Sequence, residues 1–130
     1  MAWAPREGSA VLVQTGSKKH LFAVLNDPVQ LNGYGKQLHI CMVNFSSVVQ
    51  GVYHDPTCIF QAQEHPFITH ESFVFYARAR VVSEGDWTKL VTQQMYLPHN
   101  TDFTQLQIER IKAGLYKSPS TPYEFTTFGI

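Results

Sequence analysis

At 130 residues and 14.8 kDa the chain has the size of one domain, long enough to bury a core without disulfide or metal staples. Ten Lys and Arg balance ten Asp and Glu, which argues against a generally basic nucleic-acid binder but leaves room for a local basic patch. Two cysteines are too few for a disulfide scaffold, and no apolar stretch reaches the length of a signal-peptide core or a membrane span, so a soluble, cytoplasmic protein is expected.

In chain order, residues 1–9 carry Pro5 and Gly8 and read as an irregular lead-in. Ala10 to Gln14 is a short apolar strand closed by Thr15-Gly16-Ser17, and Leu21 to Leu25 is a second strand ended by Asn26-Asp27-Pro28. The glycine-punctuated segment from Leu31 to Lys36 is a loop. Gln37 to Phe45 (QLHICMVNF) is apolar enough for a strand buried on both faces. A short strand is expected at Thr57 to Phe60, and an extended edge piece at Glu64 to Ile68, interrupted by Pro66.

Ser72 to Val82 (SFVFYARARVV) is the longest strand. Its period of two places Phe73, Phe75, Ala77, Ala79 and Val81 on one face and Val74, Tyr76, Arg78, Arg80 and Val82 on the other. Helical spacing then appears in Trp87 to Gln94, with Asp86 as N-cap, followed by extended Met95 to Leu97. Asp102 and Gln105 form a capping-box pattern opening a helix from Phe103 to Ala113, with Gly114 as its stop, and Tyr123 to Phe128 is a final strand. Strands followed by helices predict an α+β fold: a small SH3-like β-barrel or strongly curved antiparallel sheet with one or two C-terminal helices, in a single domain.

Chemistry concentrates between His54 and Tyr76, which hold His54, His65, His70, Cys58 and the adjacent pair Glu64-His65. Imidazole and thiolate are zinc ligands, but the spacing matches no closed zinc motif, so no metal or cofactor is assigned. The plainer reading makes Cys58 a core residue and the histidines surface or hydrogen-bonded groups. A histidine can move a proton at neutral pH, and an arginine can stabilise the charge of a developing phosphorane. Those ingredients suffice for metal-independent cleavage of RNA, in which the 2′-hydroxyl is the nucleophile. Ser46-Ser47 lacks a nucleophile elbow, and Gly33-Tyr34-Gly35 lacks the helix of a phosphate-binding loop. Tyr34, Tyr53 and Tyr76 are aromatic surfaces on which a base could stack.

From Gly8 to about Val49 the chain resembles the MazF/PemK group of toxin endoribonucleases, small SH3-like barrels that act without metal. The resemblance lies in Gly8-Ser9-Ala10-Val11-Leu12-Val13, the basic loop Ser17-Lys18-Lys19, the strand His20 to Asn26, and Val43-Asn44-Phe45-Ser46-Ser47. In that family an arginine opens the second strand and acts with a later serine or threonine. Here His20-Leu21 stands at the first place, and Ser46 or Ser47 at the second. A histidine brings proton transfer in place of an arginine's permanent, bidentate charge.

The resemblance, together with the clustered histidines beside a strand bearing arginines, leads to the expectation of a toxin-like endoribonuclease for single-stranded RNA. His20, His65, Arg78 and Ser46 are its expected catalytic residues, and Lys19, His70, Arg80 and Tyr76 its expected substrate contacts. An antitoxin or other protein partner, or a second copy of the chain, is a further expectation; a membrane is not. The rival is a non-enzymatic inhibitor or adaptor that docks on a larger protein, suited by the low charge, the abundant aromatics and a proline-marked edge.

Overall fold

The computed structural model describes residues 3–130. The elements in chain order are β1 (Ala10–Thr15), β2 (Lys18–Val24), β3 (His39–Ser47), β4 (Ile59–Phe60), β5 (Ser72–Ser83), α1 (Glu84–Thr92), β6 (Tyr96–Pro98) and α2 (Gln105–Lys117), followed by a 3₁₀ turn at Tyr123–Thr127. The strands form one antiparallel sheet in the order β4-β5-β3-β2-β1-β6. Its two edge strands do not pair with each other, so the sheet is open. Both edges are short, and Pro98 removes a donor from one of them, which limits edge-to-edge association.

Each face of the sheet is covered by one helix. Cys41, Val43, Phe45, Val74 and Tyr76 pack with Phe103, Ile108, Ile111 and Leu115, so α2 lies on one side. Burying Ile108, Ile111 and Leu115 on α2 contributes roughly 1.5–3 kcal/mol each. On the other side Val11, Val13, Phe22, Val24, Ile40, Met42 and Val82 pack with Trp87 of α1 and with Tyr96. The near-continuous burial of β3 follows from its place between these two layers, as its apolar sequence anticipates.

Several expectations are corrected. Strand β5 does not alternate uniformly: Met42 pairs with Arg80 but Asn44 with Phe75, so Tyr76 to Ala79 oppose Val43 alone. This bulge exchanges the faces. Val74 and Tyr76 before it, and Ala79 and Val81 after it, all join the α2-side core. Arg78 and Arg80 therefore share the opposite face with Phe75 and Phe22, over whose rings their guanidinium carbons lie at 4.8 and 4.5 Å.

The segment Glu64 to Ile68 is a chain of turns rather than an edge strand. Helix α1 starts earlier than its apolar spacing suggests, because Ser83, not Asp86, is the N-cap and accepts from the Asp86 amide. For α2 the capping box is Thr104 with Gln107 rather than Asp102 with Gln105, and Gly114 lies inside the helix. The final expected strand is the 3₁₀ turn, which inserts Phe125 into the α2-side core.

Candidate functional site

Strands β2 and β3 pair only where Phe22–Val24 meets Asn44–Met42. Before Phe22, β2 stays with β1, through pairs such as Leu21 with Leu12 and Lys18 with Thr15. Beyond Asn44, β3 stays with β5, where Phe45, Ser46 and Ser47 oppose Val74, Phe73 and Ser72. The two central strands thus part, and a cleft of about 460 Å³ opens between them. Lys18, Lys19, His20 and Leu21 form one wall, Phe45, Ser46 and Ser47 the other, and Phe67 to His70 close the end.

A second hollow of about 160 Å³ lies on the α1 side of the sheet, beside Phe22. Thr15, His20, Phe22, Asn44, Arg78 and Arg80 line it. His20 borders both spaces. It stands two residues before Phe22, just as Ser46 stands two residues after Asn44, the last cross-strand pair before the strands separate.

Charge in this region is one-sided. No carboxylate among the described residues lines either space. Among the described residues, ion pairs join Arg6 to Asp102, Arg110 to Glu64 and Lys112 to Glu7, and none involves Lys18, Lys19, Arg78 or Arg80. A chain of zero formal charge thus gathers four cations around one seam, and such a concentration attracts anions. Arg80 also lies beside the phenol of Tyr96, whose pKa burial raises and the guanidinium partly restores.

Six of the eight residues expected from sequence border the two spaces: Lys19, His20, Ser46 and His70 the cleft, and Arg78, Arg80 and again His20 the hollow. His65 and Tyr76 line neither. The His65 side chain is buried against Phe103 and His99. Its Nε2–H donates to the Thr101 carbonyl at 2.7 Å and its Nδ1 accepts from the Phe67 amide at 3.1 Å. Both ring nitrogens are committed in the neutral tautomer, and burial lowers the pKa below the ordinary histidine value. The imidazole therefore anchors the loop that carries Phe67 and His70 rather than working in the cleft.

Glu64 serves the same loop, accepting from the Gln61 amide at 2.7 Å and pairing with Arg110 at 2.9 Å. Tyr76 is fully buried on the α2 side, where its hydroxyl donates to the Ile111 carbonyl at 2.7 Å.

His54 packs at a tilt against the Phe73 ring and Cys58 is buried in the α2-side core, so the candidate zinc ligands disperse. Among the described residues no three His, Cys, Asp or Glu side chains are arranged to hold a metal ion. Sequence reasoning passed over Asn44, Thr15 and Thr69. The signal for Asn44 was a single polar residue breaking the apolar run from Ile40 to Phe45. Comparison with family models, with curated proteins and with solved structures finds no match to this chain.

Proposed function

We propose that the chain is a metal-independent endoribonuclease that cleaves single-stranded RNA in the cleft between β2 and β3. The observation that carries this reading is the meeting of an imidazole, a pair of strand-end hydroxyls and unpaired cations along a seam free of carboxylates. The resemblance to the MazF/PemK toxins points to the same place, the start of β2 and the end of β3. On this reading the open curved sheet is related to their SH3-like barrels.

The reaction transfers the phosphodiester to the neighbouring 2′-hydroxyl. The 2′-oxygen–phosphorus bond forms and the phosphorus–5′-oxygen bond breaks, leaving a cyclic phosphate and a 5′-hydroxyl. His20 exchanges a proton with one of these oxygens, and His70, the other imidazole in the cleft, serves the opposite end. Ser46 and Lys19 contact the non-bridging oxygens, while Arg78 and Arg80 hold the flanking phosphate or base. Arginine and lysine placed where negative charge grows lower the barrier in the transition state. The exposed run Val49, Val52 and Tyr53 beside the cleft wall suits a protein partner such as an antitoxin.

The test is cleavage of a labelled single-stranded RNA in excess EDTA by the native protein, His20→Ala and Tyr76→Phe. Native protein and Tyr76→Phe cleave alike, and His20→Ala is slower by on the order of a hundredfold or more. Full activity in His20→Ala would remove the assigned centre. Absence of cleavage by the native protein would favour the non-enzymatic docking module.

A further inference from the structure

Asn44 stands in a row across the sheet, with Phe22 of β2 opposite it on one side and Phe75 of β5 on the other. Each of these rings carries a guanidinium: Arg80 lies over Phe22 at 4.5 Å and Arg78 over Phe75 at 4.8 Å. Arg80 reaches Phe22 from β5 across β3, since its own strand partner is Met42. With neighbouring strands about 4.8 Å apart, the two rings and the cations on them stand roughly 10 Å apart, on either side of Asn44.

No carboxylate among the described residues pairs with either arginine or lines the hollow between them. The phenol beside Arg80, Tyr96, is buried and neutral. Asn44 Oδ1 is closed to solvent, so the amide atom open to the hollow is the donor Nδ2. Thr15 adds a hydroxyl and His20 an imidazole. The fixed groups of the hollow are therefore donors, two of them charged, and none is restricted to accepting. A base edge alternates donors with acceptors and carries no charge. A phosphate offers acceptors alone together with negative charge, and one bonded at about 2.8 Å to a guanidinium on each side fills a gap of this width.

We propose that the hollow is a second phosphate subsite, in which Arg78, Arg80 and the Asn44 amide hold the phosphate next along the RNA from the one cleaved in the cleft. His20, which borders both spaces, stands between the two phosphates. The inference rests on the ribonuclease reading for RNA as the source of the phosphate, and it adds that the smallest substrate bound well carries two phosphates. Arg78, Arg80 and Asn44 bind the strand here and take no part in moving protons.

Binding rather than cleavage tests it. The probes are 2′-O-methyl dinucleotides of uridine, which lack the nucleophile, with no terminal phosphate, with a 5′-phosphate or with a 3′-phosphate, and inorganic phosphate alone. Each is titrated against the ¹⁵N-labelled full chain, and the Asn44 side-chain amide and the Arg78 and Arg80 Nε–H signals are followed by NMR. One of the two terminally phosphorylated dinucleotides binds about tenfold tighter than the unphosphorylated one and moves all three signals, the gain expected from charge-assisted hydrogen bonds. The double variant Arg78→Gln, Arg80→Gln, altered only at exposed side chains, loses that gain. Equal binding of the three dinucleotides by the native protein, or a gain that survives in the double variant, would overturn the subsite. Inorganic phosphate binding as tightly as the better dinucleotide would overturn its assignment to an RNA strand. A gain without cleavage in the EDTA assay would keep the subsite and remove the nuclease reading, and cleavage without the gain would do the reverse.

Discussion

Gly114 sits inside α2, one turn before its C-terminal end, where alanine would ordinarily favour the helix by about 1 kcal/mol. The structure predicts the opposite outcome for Gly114→Ala. A Cβ built there lies 2.8 Å from Cζ of Tyr76 and closer still to its hydroxyl. Tyr76 is fully buried between β5 and α2 and has no solvent to swing into. Overpacking of this kind costs about 1–3 kcal/mol. If the ring yields, the hydroxyl also leaves the Ile111 carbonyl, and a stranded buried hydroxyl costs a further 1–3 kcal/mol or so. Setting the helix gain against these terms leaves a net destabilisation of about 1–5 kcal/mol.

Urea unfolding of the native protein, Gly114→Ala, Tyr76→Phe and the double variant measures it. Tyr76→Phe alone loses about 1 kcal/mol with the hydrogen bond. The double variant is less damaged than the sum of the two, because the atom nearest the new methyl is gone. A Gly114→Ala protein as stable as the native one, as helix propensity alone would have it, would refute the close approach and with it the placing of Tyr76 in the core.

The remaining predictions concern His65 and the basic seam. His65→Ala lowers stability by about 2–4 kcal/mol, through lost packing and two unpaired partners, while activity per folded molecule, read in the EDTA assay, changes far less than in His20→Ala. Burial holds the folded-state His65 pKa below its ordinary value of 6.5, so the unfolded chain takes up the proton first. Its stabilising contribution is complete above that value and declines as pH falls through and below it. Urea midpoints of the native protein minus those of His65→Gln should therefore narrow from pH 7 to pH 5. Affinity for single-stranded RNA falls with salt, with a logarithmic slope of roughly −3 if Lys18, Lys19, Arg78 and Arg80 all meet phosphates. Neutralising any one should flatten it by about 0.7. An unchanged slope in Arg78→Ala and Lys19→Ala would place RNA elsewhere.

What the sequence made legible was mostly what local pattern controls. Strands β1, β2 and β3 follow from short apolar runs bounded by turn residues, and β3's burial on both sides was readable from His39 to Phe45. The bulge in β5 was not, because nothing in SFVFYARARVV marks where alternation slips; partner strand β3 decides it through Met42 and Asn44. The cap residues were misplaced for a related reason. Ser83 and Asp86, like Thr104 and Asp102, are all acceptable N-caps, and which one caps depends on where the preceding strand releases the chain.

His65 was singled out for its neighbours in sequence, Glu64 and His70; of these only His70 borders the cleft, while Glu64 pairs with Arg110. What placed it inside was Thr101, far along the chain, whose carbonyl accepts from the imidazole Nε2–H. Burial of a histidine against a distant carbonyl leaves no local trace.

Helix α2 covers the face that carries Cys41, Val43 and Tyr76, while Trp87 of α1 packs into the cluster on the other face. Beside that cluster Thr15, His20, Asn44, Arg78 and Arg80 border a hollow that neither helix fills. The bulge in β5 turns Arg78 and Arg80 onto this hollow, and the parting of β2 from β3 opens the cleft that Lys18, Lys19 and His20 line. Without the bulge, the alternation set by Val74 and Tyr76 would carry both arginines into the α2-side core, at a desolvation cost no unpaired cation there could offset. One backbone irregularity therefore keeps charge out of the core and gathers it on the face that opens beside the cleft.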